Sequence, residues 1–390
     1  MKRILIFAGT RPEVIKMAPV IRALKNMPDT FEVRICSTGQ HRELISTAFA
    51  DFDVVPDIQL NVMSANQSLS QLSGRLFGAI GDLVQNEMPD AVLVQGDTTT
   101  VMIAALCAFY RNVPVGHVEA GLRSHDINAP FPEEMNRRIA TLASTWFFAP
   151  TERAGANLLA EGIPAASIYV TGNTVVDALL QTVSGISKTP PVLPDSIERL
   201  VVAGQRIVVV TGHRRENFGR GLENICDALV RLARAHPDVA FVYPLHLNPN
   251  VVGPVTDRLS GIENIYLEKP LPYSAFIRLM DLSLLILTDS GGAQEEGPSL
   301  RKPVLVMRDV TERPEGVEAG TSILVGTDAE RIFTEVHRLL TDSSLYATMT
   351  SAGNPFGDGT AGKNIAMILC RLLAPNDSAN RDACLDNVAS

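Results

Sequence analysis

The sequence predicts an α/β protein with two doubly wound parallel sheets, and three observations support this fold class. Short runs rich in Ile, Val and Leu recur along the 390 residues, and continuous apolar runs are typical of strands covered on both faces. Longer segments with helical periodicity separate these runs, so strands and helices alternate. The proline-dense segment 188–194 interrupts the pattern, which then restarts. We therefore expect two Rossmann-like domains that face each other across a cleft.

Each predicted strand is a short apolar run, and each predicted helix repeats apolar residues every three or four positions. In the first half the strands are 4–8, 31–37, 91–95, 114–118, 146–149 and 167–171, and the helices are 14–26, 69–86 and 99–110. In the second half the strands are 206–211, 240–243, 262–267, 284–287, 303–306 and 322–325, and the helices are 222–235, 329–340 and 364–373.

The charge balance and the cysteines exclude several classes of protein. Lys and Arg number 34 and Asp and Glu number 43, so the formal net charge is −9, which argues against a general nucleic-acid or anionic-membrane binder. The five cysteines are scattered and form no C-x-x-C pair, which argues against a disulfide framework or a zinc site and favours a reducing compartment. The longest apolar run, 101–110, spans about half a bilayer. We therefore predict a soluble cytoplasmic protein.

The loop after the first strand carries residues suited to an anionic ligand. Gly9 permits a tight turn, Pro12 suits a first helical turn, and Arg11 and Lys16 add positive charge at the helix end that normally favours acids. We expect an anion to compensate these cations and to bind the N–H groups of the helix start. An ordinary turn with solvated cations is the alternative.

A nucleotide-binding fingerprint is missing from this first loop, but a glycine-rich segment occurs near the end of the chain. Residues 357–364 (GDGTAGKN) satisfy G-x-G-x-x-G and depart from a Walker A pattern only at Asn364. No apolar strand precedes them, so both motifs lack their structural context. We interpret the segment as a connection that enters the last helix.

Three acidic loops are expected to converge at one end of the first predicted sheet. Asp97 and Glu119 each follow a predicted strand, and Glu133 lies at the start of the next helix. Three arginines lie near them in sequence: Arg123, Arg137 and Arg138. Clustered carboxylates repel one another, which raises the pKa of one and suits them to general acid–base catalysis. Helix capping and structural ion pairs are the alternatives. No histidine pair accompanies these acids, so a metal site is not expected.

Loops of the second half carry the features of a phosphate site. His213 follows the strand 206–211 beside two arginines and can contact phosphate. Ser290 and two glycines open a helix after the strand 284–287, so backbone N–H groups can approach an anion. Glu296 lies about a turn and a half later, where it can accept both hydroxyls of a ribose. Together they predict a nucleoside diphosphate site, with a plain glycine turn as the alternative.

With these loops in place, residues 2–373 resemble the bacterial non-hydrolysing UDP-N-acetylglucosamine 2-epimerases. Several long stretches carry the resemblance in the right order: GTRPEVIKMAP (9–19), QGDTTT (95–100), HVEAGLR (117–123), PEEMNR (132–137), HRREN (213–217), TDSGGAQEE (288–296) and ERPE (312–315). The resemblance implies a cytoplasmic homodimer that interconverts UDP-GlcNAc and UDP-ManNAc without an added cofactor. It also implies a glycosyltransferase-B-like fold.

The domain bounds combine this resemblance with the pattern of elements. We place an N-terminal Rossmann-like domain at residues 1–172 and a C-terminal UDP-binding domain at 173–363. The resemblance implies that the final helix, 364–375, packs back onto the first domain. Residues 376–390 are polar and are expected to form a flexible tail.

The resemblance also assigns roles to individual residues. Its UDP-binding positions correspond to Arg11, Lys16, His213, Ser290, Gly291, Gly292, Glu296 and Arg313, and its catalytic group to Asp97, Glu119, Glu133 and His213, with Arg137 beside them. Bacterial members use a second UDP-GlcNAc as an activator, and the matching positions are Gln40, Gln67, Glu133, Arg214 and His246. Two departures stand out: Gly212, where a larger residue is expected, and the variable segment 124–128.

The chemistry points to elimination, because the C2 proton of the sugar is not α to a carbonyl. UDP leaves from C1 as the C2 proton is removed, and UDP then adds back to the 2-acetamidoglucal with protonation on the other face. Which carboxylate serves which face stays open, as does the exact sugar. The alternatives are a hydrolysing relative that releases ManNAc and UDP, a 2-epimerase of a UDP-di-N-acetyl sugar, a UDP-sugar glycosyltransferase and a non-catalytic nucleotide-sugar sensor.

Overall fold

The computed structural model describes residues 1–39, 42–62, 64 and 67–373. The chain divides into two compact units, the first formed by Met1–Ala178 with the segment from Phe356 onward and the second by Leu179–Pro355. The boundary after Ala178 falls inside a helix, ahead of the proline-dense segment 188–194. The expected tail, 376–390, lies outside the described residues.

The first unit is built on a parallel sheet of seven strands in the order β3-β2-β1-β4-β5-β6-β7. The strands are β1 (Lys2–Ala8), β2 (Phe31–Ser37), β3 (Ile58–Gln59), β4 (Ala91–Gln95), β5 (Val115–Val118), β6 (Trp146–Ala149) and β7 (Ile168–Val170). The helices are α1 (Arg11–Lys25), α2 (Arg42–Asp51), α3 (Leu69–Glu87), α4 (Thr99–Phe109), α5 (Glu133–Ala143), α6 (Glu152–Ala160), α7 (Thr174–Lys188), which continues into the second unit, and α16 (Ala361–Leu373).

The second unit contains a parallel sheet of six strands in the order β10-β9-β8-β11-β12-β13. The strands are β8 (Arg206–Thr211), β9 (Val239–Pro244), β10 (Ile265–Glu268), β11 (Leu285–Thr288), β12 (Val304–Val306) and β13 (Ser322–Leu324). The helices are α8 (Asp195–Val202), α9 (Arg220–Ala235), α10 (Pro249–Leu259), α11 (Tyr273–Leu282), α12 (Gly291–Ser299), α13 (Pro314–Glu318), α14 (Ala329–Thr341) and α15 (Ser343–Ser351).

The predicted fold class is confirmed, and burial explains why the strands were recognisable. Side chains along the central strands, such as Leu5 in β1 and Val209 in β8, are fully buried, because helices cover both faces of a doubly wound sheet. In each sheet the strand order reverses beside the first strand, at β1–β4 and at β8–β11. Ligands of such folds bind at these switch points, beyond the carboxyl ends of the strands.

Several short elements escaped the sequence analysis. Strand β3 contains only Ile58 and Gln59, which is too short for a periodic pattern. The strand expected at 262–267 begins at Ile265, because residues before it turn after α10.

None of the helices in the described ranges is both long and apolar enough to cross a membrane.

The glycine-rich segment 357–364 leads into α16, as its sequence context indicated. The carboxylate of Asp177 accepts the N–H groups of Ala361 (3.2 Å) and Gly362 (2.8 Å) at the start of this helix. Helix α16 packs closely on α1, where a Cβ at Gly362 would lie 2.8 Å from the carbonyl carbon of Pro19. The glycine therefore serves helix packing, and the protein's own carboxylate occupies the helix start.

Candidate active site

Asp97 lies in the loop after β4, and two neighbouring elements fix that loop. The Asn136 side chain on α5 donates to the Asp97 carbonyl oxygen (2.9 Å), and Gly96 donates its N–H to Val118 of β5 (3.1 Å). The carboxylate of Asp97 pairs with the guanidinium of Arg137, which is 4% exposed, whereas the Asp97 side chain is 30% exposed. A half-exposed acid is thus held by a buried cation.

Glu119 follows β5 and forms a buried ion pair with Lys16 of α1. The Lys16 Nζ lies 2.8 and 2.7 Å from the two carboxylate oxygens, and both side chains are less than a tenth exposed. The Gln95 amide at the end of β4 also donates to Glu119. Glu119 has a φ of +64°, a conformation that is uncommon for a residue other than glycine and typical of functional sites.

Arg137 is positioned by Glu134, which the sequence analysis did not single out. Glu134 has no exposed surface and accepts from Arg137 (2.9 Å), from Arg138 (3.2 Å) and from the backbone N–H of Ser124 (3.1 Å). Its neighbour Glu133 occupies the first turn of α5 and is half-buried. Asp97, Glu119 and Arg137 are therefore brought together around β4 and β5, with α5 alongside.

Arg123, the third arginine singled out in the sequence, has a carboxylate partner of its own. Its guanidinium makes two hydrogen bonds to Glu161 (2.7 Å each) and one to Thr141 (3.0 Å). The Arg123 guanidinium is therefore paired with Glu161 at the end of α6, and a role beside the three acids stays a prediction. The picture of bare, mutually repelling carboxylates also changes, since Asp97 and Glu119 each have a cation.

His117, on β5, is a buried neutral side chain. Its Nε2 lies 2.8 Å from the Gly96 carbonyl oxygen. Burial lowers the pKa of His117 to about 4, because desolvation disfavours the imidazolium ion. At neutral pH this histidine fixes the turn before Asp97 without adding charge to the site.

The start of α1 is filled by the protein's own carboxylate. Glu13 Oε2 accepts the N–H groups of Gly9 (2.5 Å) and Thr10 (2.7 Å), and Oε1 accepts from the Thr98 hydroxyl (2.5 Å). Burial raises the pKa of Glu13 to about 7, although these hydrogen bonds oppose the shift. These two N–H groups, which precede the first helical residue, are therefore already bonded, and binding of an external anion beside Arg11 stays a prediction. Arg11 stands at the first position of this helix.

In the second unit, Asp289 organises the loops after β8 and β11. It has no exposed surface, and its Oδ2 accepts the N–H groups of His213 and Arg214 (2.9 Å each) and the Asn217 amide (3.1 Å). Asn217 also donates to the carbonyl oxygen of Met307 (3.1 Å). One buried carboxylate thus ties the His213 loop to the start of α12.

The His213 imidazole stands between a carboxylate and a second histidine. Its Nδ1 lies 3.2 Å from Asp289 Oδ1, and its ring stacks on His246 at 5.3 Å between centroids. Burial lowers the pKa of His213 and Asp289 opposes that shift. With Nδ1 directed at Asp289, Nε2 is the nitrogen left to contact a ligand.

The start of α12 differs from the start of α1. Ser290 occupies the N-cap, and no side-chain capping hydrogen bond is present there in the described part of the chain. The guanidinium of Arg313 packs against Gly291 so closely that a Cβ at this position would lie 2.8 Å from the Arg313 Cζ. Gly292 follows with room for a Cβ, 3.7 Å from Glu296. Helix N–H groups and a cation therefore share one small space, which is the chemistry of a phosphate site.

A network of charges holds Arg313 in that place. Its Nε donates to Glu295 and its NH1 to Glu312 (2.5 Å each). Burial alone would raise the pKa of Glu312, but Arg313, Arg308 and Arg214 hold it well below its usual range. Glu312 therefore stays ionised and fixes two arginines with charge-assisted hydrogen bonds.

Glu296 lies within α12 and is nearly buried. Its Oε1 accepts a hydrogen bond from the Tyr273 hydroxyl of α11 (2.8 Å). This contact orients the carboxylate, which the sequence analysis assigned to the ribose hydroxyls.

Of the five positions expected to contact an activating second substrate, Gln40 lies outside the described residues. Gln67 precedes α3 and accepts from Arg75, and Arg214 lies 3.6 Å from Glu312. His246 stacks on His213, and Glu133 lies on α5 as described. The activator site stays a prediction.

Sequence reasoning missed mainly the residues that hold the reactive groups: Gln95, Glu134, Asp289, Glu295 and Glu312. Gln95, Asp289 and Glu295 contact residues of other elements, so no local motif marks them. Glu134 and Glu312, by contrast, have arginine partners three or four residues away, a spacing visible in the sequence. Glu13 was also recognisable, because Thr10-Arg11-Pro12-Glu13 matches the T-x-x-E capping box. Among the described residues, no group of three or more His, Cys, Asp or Glu could hold a metal ion.

Comparison with known proteins supplies the family. Residues 22–370 match the model of the UDP-N-acetylglucosamine 2-epimerase family. The UDP-N-acetylglucosamine 2-epimerase of Yersinia pestis is 49% identical over 371 residues, which cover 95% of this chain and 98% of the relative. The crystal structure of UDP-GlcNAc 2-epimerase from Neisseria meningitidis bound to UDP-GlcNAc is similar with a TM-score of 0.89 and 44% identity, covering 95% of this chain and 100% of that one. The Methanocaldococcus jannaschii UDP-GlcNAc 2-epimerase in complex with UDP-GlcNAc and UDP is similar with a TM-score of 0.82 and 36% identity, covering 94% and 99%.

Proposed function

Because the chain belongs to the UDP-N-acetylglucosamine 2-epimerase family, we propose that it interconverts UDP-GlcNAc and UDP-ManNAc by eliminating UDP and adding it back. The proposal is carried by one observation in the first unit. Asp97 and Glu119 follow adjacent strands, and each is held by a buried cation, Arg137 and Lys16. Fixed carboxylates of this kind suit proton transfer, which requires a base and an acid in defined positions.

The chemistry needs a proton to leave C2 and return on the opposite face. A base takes the C2 proton, its bonding electrons form the C1=C2 bond, and UDP departs with the electrons of the C1–O bond. The resulting 2-acetamidoglucal then accepts UDP at C1 and a proton at C2 from an acid. We assign these transfers to Asp97, Glu119 and Glu133, with His213 at the nucleotide.

The second unit supplies what the departing nucleotide requires. UDP leaves with additional negative charge, and preorganised cations and N–H groups stabilise such charge. We assign the diphosphate to Ser290, Gly291 and Gly292 with Arg313 and His213, and the ribose to Glu296. The support is the uncapped start of α12 and the guanidinium held against it. Arg11 is assigned to the same ligand on the resemblance alone.

Proton NMR in D₂O with UDP-GlcNAc and no acceptor tests the proposal. We expect the anomeric signal of UDP-ManNAc to appear and deuterium to replace the C2 proton in both sugars. Full retention of the C2 proton during turnover would exclude the elimination route.

The same spectra separate the other candidates. Release of free ManNAc with UDP as the only products would identify a hydrolysing enzyme. Turnover only of a UDP-di-N-acetyl sugar would redefine the substrate. Absence of any reaction until an acceptor is added would favour a glycosyltransferase, and binding without turnover would favour a sensor.

We also propose that the chain forms a homodimer through α4 and α5, which pack on each other in the first unit. The support is a set of large apolar side chains exposed on these helices and at the end of α4: Phe109 (56% exposed), Tyr110 (68%) and Leu142 (81%). Large apolar side chains that stay exposed in a single chain can be covered by an interface between copies. Light scattering of wild type and Leu142→Glu measures the mass, and a monomeric wild type would refute the proposal. The cytoplasmic location stays a prediction from the sequence.

A further inference from the structure

Gly212, the departure noted in the sequence, faces a buried tyrosine. Tyr243 at the end of β9 is 1% exposed, and its hydroxyl donates to the Gly212 carbonyl oxygen (3.2 Å). A Cβ at Gly212 would lie 2.6 Å from the Tyr243 Oη, so close that the buried tyrosine or the loop would have to shift. The φ of Gly212 is not in the left-handed region, so space rather than backbone conformation requires the glycine.

Gly212 is the residue from which the His213 loop leaves β8. The loop is fixed on one side by Asp289, which accepts the N–H groups of His213 and Arg214 (2.9 Å each). On the other side the Tyr243 hydroxyl binds the carbonyl oxygen of Gly212 itself. Burial raises the pKa of Tyr243 well above its usual range, so the hydroxyl remains a protonated donor at every working pH.

We propose that Tyr243 is a positioning residue for the nucleotide-binding His213 loop and that Gly212 and Tyr243 are matched in size. The space between them holds either a Cβ at position 212 or the Tyr243 hydroxyl, but not both. Tyr243 touches no ligand in this proposal; it acts through Gly212 on His213. The inference rests on the proposed role of the second unit in binding UDP, so that role is measured first with the wild-type protein.

The geometry makes the pairing separable by mutation. Without its hydroxyl, the nearest tyrosine atom to a Cβ at position 212 is Cζ at 3.7 Å, and Asp289 Oδ2 lies at 3.8 Å. Both are ordinary van der Waals distances. Tyr243→Phe should therefore make room for Gly212→Ala, although each change alone disturbs the loop.

Four proteins test the pair: Gly212→Ala, Tyr243→Phe, the double variant, and Gly253→Ala as a control, since a Cβ at Gly253 meets open space. Calorimetry gives the Kd for UDP, and NMR kinetics give kcat and KM. We expect Gly212→Ala to raise the Kd roughly tenfold or more and Tyr243→Phe to raise it about twofold to fivefold, as for a lost neutral hydrogen bond. The double variant should bind UDP about as well as Tyr243→Phe. Across the variants, KM should change in parallel with Kd, whereas kcat should change less.

Thermal unfolding of the same four proteins separates a positioning role from simple packing. Recovery of Kd and KM when Tyr243→Phe is added to Gly212→Ala supports the proposal. If Gly212→Ala alone fails to fold, a double variant that folds and binds UDP as well as Tyr243→Phe also supports it. Additive effects on Kd in the double variant would overturn it, as would rescue of thermal stability without rescue of UDP binding. If the wild type fails to bind UDP, the proposed function is refuted, and the positioning role with it. In that case, recovery of thermal stability in the double variant would still show that Gly212 and Tyr243 are sterically matched.

Discussion

The starts of α1 and α12 look alike in sequence but differ in what occupies them. Each follows a buried central strand at a switch point and has arginine nearby. At α1, Glu13 accepts the N–H groups of Gly9 and Thr10, and the Thr10 hydroxyl caps the first turn. At α12, by contrast, the described residues show no capping side chain at Ser290, and Arg313 packs against Gly291.

This difference indicates which helix start is available to phosphate. At the positive end of α1 the Glu13 carboxylate accepts the N–H groups of Gly9 and Thr10, so an anion bound beside Arg11 would have Glu13 as a neighbour. At the start of α12 the side chain packed against Gly291 is instead a cation, Arg313, which Glu295 and Glu312 hold in place beside the helix N–H donors. We infer that the first unit chiefly handles the protons and the second chiefly holds the nucleotide, and two variants test that division.

Asp97→Asn is expected to have the largest effect. Removing a general acid–base group typically lowers kcat by about 10²–10⁴-fold, whereas binding of UDP by the second unit should change by less than about twofold. NMR turnover and calorimetry with UDP measure the two quantities. Asp82→Asn, on the exposed face of α3, is the matched control. A large loss of UDP affinity in Asp97→Asn would contradict the division.

Gly291→Ala should weaken UDP binding more than it lowers kcat, the reverse of what is expected for Asp97→Asn. The new Cβ would lie 2.8 Å from the Arg313 guanidinium, which Glu295 and Glu312 hold in place and which therefore cannot move aside freely. We expect the Kd for UDP to rise roughly a hundredfold, because charge-assisted hydrogen bonds of about 1.5–3 kcal/mol are lost, and kcat at saturating substrate to fall much less. Gly253→Ala controls for the effect of alanine in a helix, because Gly253 lies within α10 and a Cβ there meets open space. Unchanged affinity would mean that phosphate binds elsewhere.

The sequence was sufficient to predict the fold class and most of the strands, and it nominated Asp97 and Glu119 as candidate reactive residues, but it did not identify all the residues that hold them. Continuous apolar runs such as 207–210 identify strands because both faces of the sheet are covered. Asp97 and Glu119 could be found because they end such strands. Asp289 could not, since its partners lie 72 to 76 residues away in sequence and only the folded chain brings them together. Glu134 was overlooked although Arg137 and Arg138 follow it at i,i+3 and i,i+4 within α5. The pairing of Arg123 with Glu161 could not be predicted either, because the two residues are 38 positions apart.

The smallest effect concerns Glu13, whose burial gives the self-capped helix start a pH dependence. The pKa of Glu13 is raised from 4.5 to about 7, so between these values the folded state binds more protons than the unfolded state. The free energy of unfolding must therefore fall as pH rises through this window. One proton contributes about 1.4 kcal/mol per pH unit at most, or about 2 kcal/mol between pH 5.5 and 7.

Glu13→Gln removes this titration while its amide can still accept from Gly9 and Thr10 and donate to Thr98. Urea unfolding at a series of pH values should show the variant gaining about 2 kcal/mol relative to wild type from pH 5.5 to 7, with little further change above pH 8. Glu152→Gln, an exposed first-turn glutamate of α6, should track the wild type. A stability difference that does not vary with pH would mean that Glu13 is ionised throughout, in which case α1 is compensated by a full negative charge at all working pH values and the contrast with α12 becomes sharper still.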